Sequence, residues 1–138
     1  MDIRSYCDAD YDAVKKILQS GGHFDDVWDS REHWKRKIEK DPNSILVAVE
    51  GDEVIGCQLI IRDDWTCFFF RLAVKESHRS KGVGTALMVA AEEQLKKAGV
   101  DEVAIFVDED DPGLQGYYEK RGYLRGGNYR CLYKKLRS

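Results

Sequence analysis

The chain has 138 residues, of which 43% are hydrophobic and 34% charged, and its formal charge is −3. That length suits one domain spanning 1–138 rather than two, and the balance is that of an ordinary soluble globular protein. The mild negative charge gives no electrostatic reason to expect nucleic acid as a partner. No apolar run approaches the ~20 residues of a membrane span, and Met1-Asp2-Ile3-Arg4 lacks the basic start and apolar core of a leader.

In chain order, Ile3 to Cys7 is a strand candidate. Asp8 can cap a helix on which Tyr11, Val14, Ile17 and Leu18 share one face, and Gly21-Gly22 stops it. Asp29-x-x-Glu32 reads as a capping box for a second helix with Trp34 and Ile38 on one side, ended by Asp41-Pro42. Ser44 to Glu50 and Glu53 to Ile61 read as strands joined by a tight turn at Gly51-Asp52. Arg62-Asp63-Asp64 turns the chain into a further strand, Trp65 to Val74. Val83, Leu87, Ala90, Ala91, Gln94 and Leu95 then mark a long helix, with Gly99 in the place of a C-terminal cap. Val103 to Val107 is a continuous apolar run, as in a strand covered on both faces. Pro112 opens a helix carrying Tyr117 and Tyr118, which Gly122 ends. Tyr123 to Leu136 supplies the last strand or strands, turning at Gly126-Gly127-Asn128. The fold class is α/β with a mixed central sheet, in the order β-α-α-β-β-β-α-β-α-β, with helices on both faces. The crossover helix makes the strands on either side of it parallel.

Cys7, Cys57, Cys67 and Cys131 form no Cys-x-x-Cys pair and read as reduced, mostly buried thiols of a cytoplasmic protein. No metal site is expected, because the cysteine spacing is wrong and only three histidines exist. His23, His33 and His78 read as surface residues. The basic stretches Lys35-Arg36-Lys37 and Lys134-Lys135 read as solvated faces.

The most informative stretch is Arg79-Ser80-Lys81-Gly82-Val83-Gly84-Thr85, a glycine-bearing loop between a strand and a helix. The first turn of a helix carries unpaired N–H donors and the positive end of the helix dipole, which together form a phosphate site. Arg79 and Lys81 add positive charge. A Walker loop is excluded, since no Gly-Lys-Ser/Thr triplet is present. A Gly-x-Gly-x-x-Gly fingerprint is excluded because Leu87 stands where the third glycine belongs.

The remaining pattern, Arg79-x-x-Gly82-x-Gly84 after Leu72-Ala73-Val74, resembles the acyl-CoA-binding loop of the GNAT superfamily of acyl-CoA-dependent N-acetyltransferases. A second, independent segment, Gly116-Tyr117-Tyr118-Glu119-Lys120-Arg121-Gly122-Tyr123, resembles that family's Tyr-Glu-Lys-x-Gly-Phe/Tyr motif. The resemblance runs from about Ile45 onward; the first 40 residues match only in element order. Lys75, Asp111 and Leu114 stand where the family often has proline, asparagine and alanine.

The resemblance implies acetyl-CoA or a close acyl-CoA as cosubstrate. Its pyrophosphate would lie on Ser80, Lys81, Gly82, Val83, Gly84 and Thr85, beside Arg79, and its pantetheine arm along Leu72, Ala73 and Val74. The family's asparagine helps hold that arm; Asp111 can accept a hydrogen bond there but cannot donate one while ionised. A bulge in the strand before the loop would leave an N–H aimed at the thioester oxygen, and such a donor is worth roughly 3–4 kcal/mol in other enzymes. Tyr118 matches the usual general acid. With a thiol pKa of ~8.5 against ~10 for tyrosine, full proton transfer to the leaving thiolate costs about 2 kcal/mol.

The implied activity is transfer of acetyl to a primary amine of a small molecule or peptide. A non-catalytic acyl-CoA-binding sensor is the alternative. No general base is obvious, because Phe68 and Phe106 occupy the strand positions where relatives place a glutamate. Deprotonating a lysine-type amine at pH 7 costs about 4–5 kcal/mol, against about 1 for an α-amine. That favours a lower-pKa acceptor, or a base acting through water from Asp108, Glu109 or Asp110. The segment His23 to Asp29 mixes aromatics with carboxylates, which suits a cationic amine. Asp25 and Trp28 are its candidate acceptor-binding residues. Dimers are frequent among similar proteins, so a homodimer stays open.

Overall fold

A computed structural model describes residues 1–137. They form two compact units, Met1–Ile105 and a second one beginning at Phe106. The first unit carries strands β1 (Asp2–Ser5), β2 (Ile45–Glu50), β3 (Glu53–Arg62), β4 (Cys67–Val74) and β5 (Ala104–Ile105), with helices α1 (Tyr11–Ser20), α2 (Arg31–Lys40) and α3 (Val83–Lys97). The second carries α4 (Pro112–Glu119). The strands lie in sequence order, antiparallel from β1 to β4 and parallel between β4 and β5.

Period-two alternation splits the sheet residues between two layers. Ile45, Val47, Cys57, Leu59 and Ala73 join Tyr11, Val14, Ile17, Leu18 and Trp34 in one core under α1 and α2. Trp34 docks α2 there, edge-on to Tyr6 at 5.5 Å and to Tyr11 at 5.2 Å between ring centroids. Leu46, Ala48, Gly56, Gln58 and Ile60 fall on the other parity, where α3 lies. β2 is therefore apolar and buried on both faces over most of its length.

Gly56 sets how closely α3 approaches. A Cβ at this position would stand 3.1 Å from Leu87 Cδ1, 3.2 Å from Val83 Cγ1 and 3.2 Å from the Ala73 carbonyl oxygen. The first turn of α3 thus sits directly on the sheet beside the end of β4, and that contact fixes where the helix N-terminus stands.

The structure differs from the sequence reading at several places. A short 3-10 turn, Asp8–Asp10, precedes α1; Cys7 caps it, and Asp10 is drawn instead into a two-pronged pair with Arg4 at 2.8 and 2.9 Å. Ser30, not Asp29, caps α2, its hydroxyl accepting the His33 N–H. β4 begins at Cys67, because the Asp63 carboxylate accepts the Trp65 and Thr66 N–H groups and keeps them in the turn. β5 is two residues long rather than five. Cys57 and Cys67 are buried, but Cys7 and Cys131 are exposed. The final strand over Tyr123 to Leu136 is absent: the described residues of that segment adopt no strand or turn, and Leu124, Leu132 and Leu136 are each more than 85% exposed. Aromatic and leucine content alone does not make a strand without a ladder partner.

Gly56→Ala should lower stability by about 1–2 kcal/mol, the usual cost of forcing a methyl into a filled site. The midpoint of denaturant unfolding reads this directly. An unchanged midpoint would mean that α3 does not rest on Gly56.

Candidate active site

The loop between β4 and α3 is built from backbone of both hands. Ser80 has φ +61 and Gly82 has φ +84, both left-handed, with Lys81 between them. Such alternation turns successive N–H groups to one side and forms an anion-binding concavity. Gly82 is the N-cap of α3, so no side chain caps the helix, and its first turn holds no acidic residue. The N–H groups and the positive dipole end are left for a ligand. The two glycines differ. Nothing lies within 4 Å of a Cβ added at Gly82, so its requirement is the left-handed backbone. Gly84 lies inside α3 with helical backbone, so no left-handed conformation calls for glycine there. Arg79 is exposed and donates through Nε to the Val74 carbonyl at 3.1 Å, holding the loop against the strand end. Lys81 is exposed, Val83 is buried under the helix, and Thr85 is half-buried.

β4 leads into this loop with two further irregularities. It pairs with β5 only at Phe68↔Ala104 and Phe69↔Ile105. From Phe70 to Val74, the edge that faced β5 carries no ladder among the described residues. The main-chain groups between Leu72 and Val74 that point to that edge are unladdered, the Val74 carbonyl being taken by Arg79 Nε; an extended amide chain can pair with the rest.

On its other edge β4 is bulged. Leu59 pairs with Phe70 and Cys57 with Ala73, so Arg71 and Leu72 together oppose Gln58. Arg71 takes φ +56, unusual for a residue with a Cβ. The side chain of Gln58, fully buried, donates to the Phe70 and Leu59 carbonyls at 3.0 Å each. A bulge withdraws one residue from the ladder and re-aims its backbone.

The α1–α2 loop reaches this bulge. Asp29, 2% exposed, lies 3.2 Å from Arg71 Nε through Oδ2 and accepts the Asp25 N–H at 2.9 Å through the same oxygen. Its carbonyl accepts the Tyr11 hydroxyl at 2.7 Å. Asp25 is exposed; its Oδ1 accepts the Val27 and Trp28 N–H groups, each at 2.9 Å. Those two bonds, Trp28's first, hold its carboxyl below the usual range, and the Arg71 charge adds to them. Trp28 is 70% exposed, its ring tilted over His33 at 5.8 Å. Sequence reasoning placed Asp25 and Trp28 in this region but missed Arg71. The signal was present: Arg71 is the only charge in the run Cys-Phe-Phe-Phe-Arg-Leu-Ala-Val of β4.

In the second unit, Asp111 is the N-cap of α4, and its Oδ1 accepts the Leu114 N–H at 2.9 Å. Tyr118 is 5% exposed, edge-on to Tyr117 at 5.2 Å and near Tyr123 at 5.6 Å. Burial, and then the neighbouring Tyr117, push its phenol up to about 12. Against a thiol at ~8.5, full proton transfer costs about 5 kcal/mol rather than 2. A hydrogen bond donated to the sulfur as its charge develops asks for less. Asp108 and Glu109 give their carbonyls to Gln115 Nε2, and the Asp108 carboxylate accepts the Asp110 N–H.

An open groove of about 1220 Å³ runs between α1, the β2–β3 turn and Lys75 to Ser77. It includes none of residues 79–85 and is not this site. No group of three or more His, Cys, Asp or Glu among the described residues is arranged to hold a metal ion, and no helix among them is long and apolar enough to cross a membrane.

The profile of the Acetyltransferase (GNAT) family matches residues 11–123. Acetyltransferase ECA0875 of Pectobacterium atrosepticum is 28% identical over 123 residues, covering 89% of this chain and 87% of that protein. Ard1 from Thermoplasma volcanium shares the fold with a TM-score of 0.78 at 22% identity, over 91% of this chain and 84% of its own. PaiA N-acetyltransferase from Thermoplasma acidophilum, solved in complex with coenzyme A, does so with a TM-score of 0.72 at 20% identity, over 86% and 87%. A family match over most of the chain, on a fold with this strand–loop–helix geometry, has one meaning: the protein belongs to the GNAT family of acetyltransferases.

Proposed function

We propose that this enzyme transfers the acetyl group of acetyl-CoA to a primary amine of a small molecule or peptide, the amine attacking the thioester directly. One observation carries the reading. β4 has an unladdered edge that runs straight into a two-handed loop and an uncapped helix N-terminus. An extended amide chain ending in a pyrophosphate fits that sequence of donors, and coenzyme A has this form. The N–H groups from Ser80 to Thr85 hold the pyrophosphate. Leu72, Ala73 and Val74 pair with the pantetheine amides, and the exposed Asp111 carboxylate keeps one oxygen for the same arm. The bulge at Arg71 and Leu72 directs a main-chain donor toward the thioester carbonyl, where negative charge develops.

In the reaction an N–C bond forms and the C–S bond breaks. The amine's proton leaves to solvent, and the sulfur receives the hydrogen bond or proton of the Tyr118 phenol. Asp25 and Trp28 receive the cationic acceptor. No carboxylate occupies the base positions at Phe68 and Phe106, so the acceptor supplies its own neutral form, which favours a low-pKa amine.

Thiol release from acetyl-CoA with a panel of amines tests the activity. Coenzyme A binding without turnover of any amine would instead favour a sensor. Gly84→Asp separates loop from fold. A carboxylate in the first turn of α3 favours the helix dipole by about 0.3–1 kcal/mol, so stability should hold or rise. Coenzyme A affinity should fall about a hundredfold or more, because the carboxylate opposes the pyrophosphate. Retained affinity by calorimetry would refute the loop assignment.

Tyr118→Phe should reduce kcat about ten- to hundredfold while KM for acetyl-CoA stays within about threefold. An unchanged kcat removes the phenol from the chemistry. The protonated phenol is the useful form, and with its pKa raised to about 12 it persists through the range in which the amine deprotonates. The kcat profile should therefore rise with pH and stay flat to about pH 10. A descending limb between about pH 8 and 10 would identify a different acid.

A further inference from the structure

We propose that Arg71 is a specificity-determining residue that binds a carboxylate carried by the acceptor, so that the preferred acceptor is an amino-acid-like molecule with an amine and an acid. The inference rests on the acceptor reading above and deepens it.

Arg71 is held from one side only. Its Nε is sealed from solvent against Asp29. Its terminal nitrogens bond to no described residue, yet the side chain keeps 27% of its surface exposed. The open part is therefore the far end of the guanidinium, whose two nitrogens present parallel donors spaced for a carboxylate. The left-handed backbone at this residue is what turns the side chain toward the α1–α2 loop.

The position points to the acceptor and not to the pyrophosphate. Strands rise about 3.3 Å per residue, so Arg71 lies about 10 Å before the end of β4 and farther still from the loop beyond it. It stands instead on the bulge and touches the loop that carries Asp25 and Trp28.

The surrounding charges fit a zwitterion. Asp29 balances one positive charge and is itself buried and committed. The Lys37 ammonium lies 5.6 Å from the Phe70 ring, and the Arg71 guanidinium 5.9 Å from the same ring. Burial pulls Lys37 down to about 8, which leaves it mostly protonated at neutral pH. Its ammonium is bonded to the Ile60 carbonyl, so the Arg71 fork is the acid-binding group. Asp25, exposed and within the field of Arg71, is placed for the amine end of the same molecule.

The test compares each of several amino acids with its carboxamide as acceptor, using wild type and Arg71→Lys. Lysine keeps a charge for Asp29 but lacks the planar two-nitrogen fork. Wild type should favour the acid over the amide, and Arg71→Lys should shrink the acid-to-amide ratio of kcat/KM about tenfold or more, with KM for acetyl-CoA unchanged. Comparing ratios between the two enzymes cancels the intrinsic reactivity of each amine. Equal ratios in the two enzymes overturn the proposal, as does a wild type indifferent to the carboxylate. If no acceptor turns over, calorimetry with N-acetylated amino acids and their amides decides. Acid-selective binding that Arg71→Lys loses supports the assignment; equal binding, or none, refutes it. Coenzyme A affinity measured alongside separates the failures: its absence sinks the donor reading, whereas its presence without acid selectivity sinks only this one.

Discussion

Between Cys57 and Leu59 the β3–β4 ladder absorbs one residue too many, because Arg71 and Leu72 stand together against Gln58. The consequence is first a matter of parity. In a regular strand Phe70 and Ala73 would point to opposite faces. The extra residue puts both on the side of α1 and α2, where Ala73 enters the core and Phe70 packs against it. The cost is a left-handed arginine, on the order of 1–2 kcal/mol. Such strain persists only where the surroundings over-determine it. Gln58 ties the carbonyls on one side, and Asp29 holds the side chain on the other. The α1–α2 loop and β4 are thereby one braced assembly.

The second constraint is the seating of α3. A helix N-terminus is useful as an anion site only if it stands where the strand ends, and Gly56 permits that by letting Leu87 and Val83 settle onto the sheet. Apart from the Asp111 carboxylate, what is proposed to grip the donor is main chain: a strand edge, a two-handed loop and the first turn of a helix. Main-chain donors are indifferent to most side-chain changes around them. The backbone hand is the demanding feature, left-handed at both Ser80 and Gly82.

What the sequence made legible follows from this. The apolar face of α1, the span of α3 and the entry of α4 at Pro112 were readable because helical periodicity and terminal residues mark them locally. The loop ahead of α3 was readable because Gly82 is needed there for its left-handed backbone, a requirement that does not depend on distant contacts. The bulge was not: β4 is apolar on both faces, so a slip of one residue leaves no break in alternation. Asp29 was misread as a cap because Ser30 beside it is an equally good one, and burial, which decides between them, is a tertiary property. Tyr123 to Leu136 had strand composition, yet composition does not specify a ladder.

Asp25 and Asp29 show how the same side chain takes different work within one turn of loop. Asp29 is removed from water, and a buried carboxylate is tolerable only with a cation and hydrogen bonds, so its Oδ2 meets both Arg71 and the Asp25 N–H. Asp25 stays in solvent with one oxygen engaged by the backbone, so its charge is stabilised without a cation of its own. Its other oxygen can meet an incoming ammonium with little desolvation cost. The proposed donor contacts are thus set by the fold, whereas the proposed acceptor contacts are a few charged side chains beside one bulge.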